Sequence, residues 1–171
     1  FRLEENGDLE VSGQINSENR KHKHYSSLTG SSGDWFPLMR ISDDHGGSVL
    51  FNINTYAHNS CTFIVSDGYG PSGQSGNPAH ISVLNYLHNA NGGYANITGI
   101  RVNQVGMVEI RLTWGSGPTV NIDVTAETSE KFTYDFESSL ATSTSTESVV
   151  DTALLQNQRA RFKKLEVDDR L

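Results

Sequence analysis

Apolar and polar residues alternate with a period of two through the middle of the chain. In residues 108–114 the apolar side chains are Val108, Ile110, Leu112 and Trp114, and polar or charged residues separate them. Successive side chains of a β-strand point to opposite faces, so this pattern predicts strands with one buried face. The same alternation, or a short apolar run, predicts further strands at 35–41, 49–54, 61–66, 81–87, 95–102, 120–126 and 131–136.

Clusters of Gly, Pro, Asn and Asp separate these predicted strands, which is typical of turns. They lie at 44–47, 68–78, 89–93 and 115–118. About eight short strands joined by turns, with no helix between them, favour antiparallel sheets. The sequence therefore predicts an all-β domain built as an antiparallel β-sandwich or a jelly roll.

The two ends of the chain differ in composition from the middle and divide it into three predicted parts. Residues 1–34 are polar and poor in aliphatic side chains, with short strand-like alternation. One such chain cannot bury its apolar residues but three chains wound about an axis can, so we expect a short trimeric β shaft and a junction. Residues 35–136 are the predicted sandwich head. Residues 137–171 begin as a Ser/Thr-rich linker and continue with helical spacing, which predicts a short C-terminal helix over 147–167.

Composition and charge exclude several classes of protein. The 171 residues include 13 Lys and Arg against 20 Asp and Glu, a net charge of −7. A chain this acidic matches poorly with nucleic acid, whose phosphates bind basic surfaces. No apolar run approaches the ~18 residues of a membrane-spanning helix, so membrane insertion is not expected. The one cysteine, Cys61, cannot form a disulfide within the chain.

Motifs for catalysis are weak. Residues 68–73 match the letters of a dinucleotide-binding G-x-G-x-x-G motif. That site requires a helix directly after the glycines, whereas Pro71 and the loop residues that follow predict none. Asp43 and Asp44 lack the spacing of a calcium-binding loop, and Cys61 has no activating motif beside it. We therefore expect that the protein is not an enzyme.

Two stretches of the sequence resemble segments of known proteins. Residues 6–13, Asn-Gly-Asp-Leu-Glu-Val-Ser-Gly, resemble the repeated shaft element of trimeric bacteriophage tail fibres and spikes. Residues 94–102, followed by 108–112, are similar to β-rich head domains of tail fibres from marine and cyanobacterial phages. The resemblance implies a homotrimer in the virion, extracellular, that contacts other tail proteins and attaches to a host-surface glycan or protein. Two alternatives remain open: a purely structural fibre segment or adaptor, and a carbohydrate-binding module of a larger enzyme.

The predicted glycan site consists of aromatic and polar residues on loops. Sugar C–H faces stack on exposed rings, while amides and imidazoles bind the hydroxyls, on loops that a rigid sandwich holds in place. Tyr69 and Tyr94 are the candidate aromatic contacts, with Asn77, His88 and Asn91 as polar neighbours. Each tyrosine is also compatible with a ring partly buried at a strand end.

His22 and His24 are candidate metal ligands. In an extended segment both side chains point to one side, and three chains around an axis would supply an octahedral set of imidazoles, suited to iron or another transition metal. Basic residues surround the pair, so the alternative is a solvated basic turn between shaft and head. Apart from this metal on a three-fold axis, no cofactor is expected.

Overall fold

Fourteen β-strands make up the secondary structure of the described residues. The computed structural model describes residues 2–3, 9–10, 15–16, 19–41, 47–55, 59–67, 80–87, 95–103, 106–115, 120–128, 132, 134–145 and 148–153. In chain order the strands are β1 (Arg2–Leu3), β2 (Leu9–Glu10), β3 (Ile15–Asn16), β4 (Arg20–Tyr25), β5 (Leu28–Thr29), β6 (Trp35–Arg40), β7 (Gly47–Thr55), β8 (Asn59–Asp67), β9 (His80–Leu87), β10 (Asn96–Asn103), β11 (Met107–Thr113), β12 (Ile122–Thr128), β13 (Leu140–Ala141) and β14 (Ser148–Ala153). None of the described residues belongs to a helix long and apolar enough to cross a membrane.

Two antiparallel sheets form the body of the domain. The larger sheet has six strands in the order β3-β4-β12-β7-β8-β9, and the smaller has four in the order β14-β10-β11-β6. Every neighbouring pair in both sheets is antiparallel. Two short pairs lie outside them: β1 with β2, antiparallel, and β5 with β13, parallel.

The inner faces of the two sheets share one hydrophobic core. Phe51 of β7 lies opposite Phe63 of β8, and their rings stack with centroids 5.1 Å apart. In β11 every second residue is fully buried, namely Val108, Ile110 and Leu112. These are the apolar positions of the alternating sequence, because a strand buries one face against the opposite sheet. The predicted antiparallel β-sandwich is confirmed.

One predicted strand, at 131–136, is wrong. Of its described residues, only Phe136 pairs, in an isolated bridge with Met39 of β6. Phe136 is buried and Phe132 packs against the core. The alternating aromatic residues therefore cover the margin of the core instead of forming a ladder.

The start of the predicted C-terminal helix is also wrong. Residues 148–153 form β14, which pairs with β10 from Asn103 to Gly99. Without β14, β10 would be an edge strand with unpaired backbone groups, and β-branched residues suit the added strand: Val149, Val150 and Thr152. The rest of the predicted helix, 154–167, lies outside the described residues.

Residues 134–145, which we call the strap, fasten the two sheets together from outside. The Tyr25 hydroxyl of β4 donates to the Glu137 carbonyl over 2.9 Å. Further along, the Ser143 N–H donates to the Trp35 carbonyl of β6 over 2.7 Å. The strap then crosses the outer face of the four-stranded sheet and leads to β14 at the far edge.

Strand pairing crosses the boundaries of the three predicted parts. β4 comes from the predicted shaft and junction and pairs with β12 of the predicted head. β14 comes from the predicted tail and pairs with β10. The division after residues 34 and 136 stays a prediction, and the sandwich contains strands from all three parts.

Candidate functional site

The predicted glycan-binding residues lie outside the described residues. Tyr69 and Asn77 precede β9 in the chain, whereas His88, Asn91 and Tyr94 follow it. The two ends of this eight-residue strand are about 24 Å apart at the usual rise per residue. The two predicted loop segments therefore join opposite ends of β9, and the glycan contacts assigned to them stay predictions.

His22 and His24 lie on β4 and face the same carboxylate. β4 pairs in register with β12, so the interpretation of this segment as a turn is wrong. Oδ1 of Asp123 lies 2.8 Å from His24 Nδ1 and 3.5 Å from His22 Nε2. Lys21 and Lys23 alternate with the histidines and so point to the opposite face of the sheet. Within the described ranges, no three or more His, Cys, Asp or Glu side chains are arranged to hold a metal ion, and the three-fold-axis metal stays a prediction.

A buried ion pair lies on the outer face of the four-stranded sheet. Arg101 of β10 is opposite Glu109 of β11, their side chains are 7% and 1% exposed, and Nε donates to Oε2 over 2.5 Å. The second carboxylate oxygen of Glu109 accepts from Asn103 Nδ2 at 2.9 Å and from Ser143 Oγ at 2.5 Å. The guanidinium lies over the Trp35 ring, 4.5 Å from its centroid. Donors on both oxygens thus fix the carboxylate of Glu109.

Arg101 and Glu109 are not among the predicted site residues, although the sequence holds a signal for the pair. Arg101 lies one residue before the end of the predicted strand 95–102, and Glu109 lies one residue after the start of the predicted strand 108–114. In a hairpin, residues equally distant from the turn lie opposite each other, and opposite charges there form cross-strand pairs. Opposite charges at mirrored positions of two consecutive predicted strands are therefore a usable sign of such an ion pair.

A groove of about 450 Å³ opens beside the ion pair, between the four-stranded sheet and the strap. Its volume falls within the ~300–1,000 Å³ of small-molecule sites. The sheet supplies the apolar side chains of Pro37 and Met107 and the polar side chains of Asn103 and Glu109. The strap supplies the rest of the lining, which is rich in hydroxyl groups: Glu137, Ser139, Ala141, Thr142, Ser143, Thr144 and Ser145.

The polar groups of the groove differ in how far the protein itself uses them. The sheet side forms the floor of the groove. There Asn103 Oδ1 accepts from the Met107 N–H over 3.1 Å, so this side chain, like Glu109, is held in place. On the strap side, the side chains of Glu137, Ser139 and Thr144 make no hydrogen bond within the part of the chain that the structure describes. The groove therefore joins a fixed floor to hydrogen-bonding groups that a ligand can use.

Buried Cys61 and half-buried Tyr86 serve the packing of the core. Burial raises the pKa of the Cys61 thiol to about 12. Burial first, and the neighbouring Cys61 second, raise the pKa of Tyr86 to about 12, and its hydroxyl donates to the Ile97 carbonyl over 2.7 Å. Because nucleophilic chemistry needs the thiolate, a thiol held neutral in this way is inert.

A phage tailspike is among the solved structures that resemble this chain. The crystal structure of the Acinetobacter phage vB_ApiP_P1 tailspike protein aligns with a TM-score of 0.44 and 12% sequence identity. The alignment covers 76% of this chain and 24% of the tailspike chain, so this chain spans about a quarter of that protein. No family model and no curated protein matches the chain. A likeness of this strength supports no conclusion about function.

Proposed function

We propose that this chain is part of a trimeric fibre or spike of a phage virion, and that its β-sandwich attaches the virion to a glycan on the host surface. The groove between the four-stranded sheet and the strap carries this proposal. Its apolar strip, Pro37 and Met107, lies beside hydroxyl and carboxylate groups that make no hydrogen bond to the described residues. A sugar ring needs this combination, since its C–H faces pack on apolar surface while its hydroxyls form hydrogen bonds.

A binding role without catalysis fits the carboxylates of the groove. Glycoside hydrolysis uses one carboxyl as acid and a second as base or nucleophile. Both oxygens of Glu109 already accept hydrogen bonds within the protein, and its side chain is 1% exposed. Among the described residues of the lining, Glu137 is then the one carboxylate that a ligand can contact, which is one acid fewer than hydrolysis requires.

The proposed assembly is a homotrimer in which the polar N-terminal part surrounds a common axis. The resemblance of residues 6–13 to fibre shafts supports it. In β1 and β2, Leu3 lies opposite Leu9, so two of the few aliphatic residues of this part are adjacent. In this proposal the trimer is extracellular and contacts other virion tail proteins. Any metal bound by His22 and His24 would lie on its three-fold axis.

A mass measurement and a cell-binding assay test the proposal together. We expect light scattering to give about three times the chain mass of 18.8 kDa. Fluorescently labelled protein should bind particular strains from a panel of bacteria. Periodate oxidation of the cells, which destroys sugar rings, should abolish this binding, and protease treatment of the cells should leave it intact.

Other outcomes would identify the alternatives. Binding that protease removes and periodate spares would identify a protein receptor. A trimer that binds no strain would favour a structural fibre segment or adaptor. A monomer that binds free polysaccharide would favour a carbohydrate-binding module.

A further inference from the structure

We infer that the groove selects an uncharged sugar unit and rejects sugars that carry a carboxylate, an inference that rests on the proposed function. The described residues that line the groove include two carboxylates, Glu109 and Glu137, and no Lys, Arg or His. The chain as a whole carries a net charge of −7. An acidic sugar would therefore bring its charge close to a like charge, which opposes binding.

Among the described residues, two arginines lie near the groove, and neither lines it. Arg40 of β6 lies opposite Met107, and its guanidinium covers the Tyr134 ring, 5.0 Å from the centroid. Arg101 Nε is bonded to Glu109, its Nη2 donates to the Ser145 carbonyl over 2.8 Å, and its face covers the Trp35 ring. Its side chain is 7% exposed and is absent from the groove lining. The guanidinium thus neutralises Glu109 within the protein, and the charge that a ligand meets is that of Glu137.

An uncharged sugar complements each free group of the groove. A sugar hydroxyl can donate to the Glu137 carboxylate in a charge-assisted hydrogen bond. The hydroxyls of Ser139 and Thr144 can both donate and accept, as sugar hydroxyls do. Half-buried Pro37 and Met107 provide the apolar surface for a C–H face. An amino sugar is the competing ligand, because its ammonium would pair with Glu137.

The two methionines of the chain provide an internal readout of binding. Met107 lines the groove, whereas Met39 is fully buried in the core. In protein labelled with ¹³C at the methionine methyl groups, a ligand in the groove should shift the Met107 NMR signal and leave the Met39 signal in place. The variant Met107→Leu removes one signal and so assigns both.

The probes are oligosaccharides released by mild acid from a strain that the protein binds, separated by ion exchange into neutral, acidic and basic fractions. We expect the neutral fraction to shift the Met107 signal saturably and to inhibit cell binding. The acidic fraction should bind at least about tenfold more weakly, because a modest repulsion between its carboxylate and that of Glu137 is enough to lower the affinity by a factor of ten.

Filling the groove tests its location. Ala141 is exposed and lines the groove, so Ala141→Trp should reduce binding of the neutral fraction by about tenfold or more. Ser26→Trp places the same side chain at an exposed position outside the lining and should leave binding unchanged. A Met39 signal at its wild-type position shows that each variant has kept its core.

Changing the charge of Glu137 tests the selectivity. Glu137→Gln should reduce the preference for the neutral over the acidic fraction, because it removes the repelling charge. Glu137→Lys should reverse the preference. Neither substitution alters the backbone hydrogen bonds of this residue, which accepts from the Tyr25 hydroxyl and donates to the Leu38 carbonyl.

Several results would overturn the inference. These are equal binding of neutral and acidic fractions by the wild type, a preference for the basic fraction, or a Met107 signal that no fraction moves. Undiminished cell binding by Ala141→Trp would also overturn it and would leave the proposed function intact. If the wild type binds no strain, the proposed function fails first and the inference falls with it.

Discussion

At the scale of single residues, Glu109 connects the packing of the four-stranded sheet to the floor of the groove. Its carboxylate accepts hydrogen bonds from Arg101 and Asn103, both on β10, and from Ser143 of the strap. A buried charge that loses its partner is strongly destabilising, because the remaining charge stays out of water. The same three contacts therefore set both the stability of the sheet and the shape of the groove.

We expect Glu109→Leu to lower the free energy of unfolding by about 3–5 kcal/mol, since it leaves Arg101 buried without its carboxylate. Urea denaturation measures this change. The double variant Glu109→Leu/Arg101→Met removes both charges and should recover most of the lost stability. A single variant as stable as the wild type would show that the ion pair does not support the fold.

Cys61 should be unreactive while the protein is folded. Burial raises the pKa of its thiol from 9.0 to about 12, which lowers the thiolate fraction by roughly a thousandfold at mildly alkaline pH. We expect a disulfide reagent such as DTNB to label the native protein only as fast as it unfolds, and to label the protein in guanidinium at once. Fast labelling of the native state, with an unchanged circular dichroism spectrum, would contradict this prediction.

At the scale of elements, Asp34 fastens the strap to the segment before β6. Its Oδ2 accepts from the Ser31 N–H at 2.7 Å and from Thr142 Oγ1 at 2.8 Å. The bond from the Ser31 backbone first, and the Thr142 hydroxyl second, lower the pKa of Asp34. Because folding lowers this pKa, the stabilising contribution of the carboxylate is complete above its ordinary value and is lost as the pH falls through the lower folded value.

We therefore expect acid to destabilise the wild type more steeply than Asp34→Asn below pH 3.8, the ordinary pKa of this carboxyl. Asparagine keeps an acceptor oxygen for both donors but has no proton to gain. The urea midpoint of each protein, followed from neutral pH downwards, measures the difference. If the urea midpoints of the two proteins fall in parallel with pH, the ionised carboxylate of Asp34 does not contribute to stability.

Strands whose inner face is apolar could be predicted from the sequence, whereas strands that depend on a neighbour could not. β7, β8, β11 and β12 follow the period of two because their alternate apolar residues fill one core. β4 does not show it, because Lys21 takes an inner position and is buried with its ammonium against Asp135 of the strap. β14 was predicted as helix because Val150 and Ala153 also fit a helical spacing, and the open edge of β10 decides the outcome.

The candidate site could not be predicted for a related reason. Its sheet side depends on the register that places Pro37 of β6 opposite Glu109 of β11. Its strap side comes from a Ser/Thr-rich stretch, 138–145, that has no hydrophobic period and was interpreted as a linker. The hydroxyl groups of the strap and the sheet residues far from them in the chain become one groove only through tertiary contacts such as Ser143 with Glu109.

At the scale of the whole molecule, the sandwich should unfold as one unit, because both sheets contribute to a single core. Phe63→Ala, in the six-stranded sheet, should lower the free energy of unfolding by about 3–5 kcal/mol. Trp35 begins β6 and Trp114 follows β11, so both report on the four-stranded sheet. The unfolding midpoint measured by their fluorescence should therefore fall to the same value as that measured by circular dichroism.

A surface substitution on the larger sheet provides the control. Leu84 of β9 is 58% exposed, and Leu84→Ser should change the stability by less than about 0.5 kcal/mol. Two separate transitions for Phe63→Ala, one for each probe, would show that the sheets unfold independently.

The route of the strap has a mechanical consequence. It runs from β13 across the groove to β14, whose residues pair with β10 from Gly99 to Asn103. A force that pulls the chain beyond Ala153 along the direction of β14 would load these backbone pairs in shear, all together. The wall of the groove precedes β14 in the chain, so it would come under load only after these pairs break, and β14 would shield the groove from such a pull.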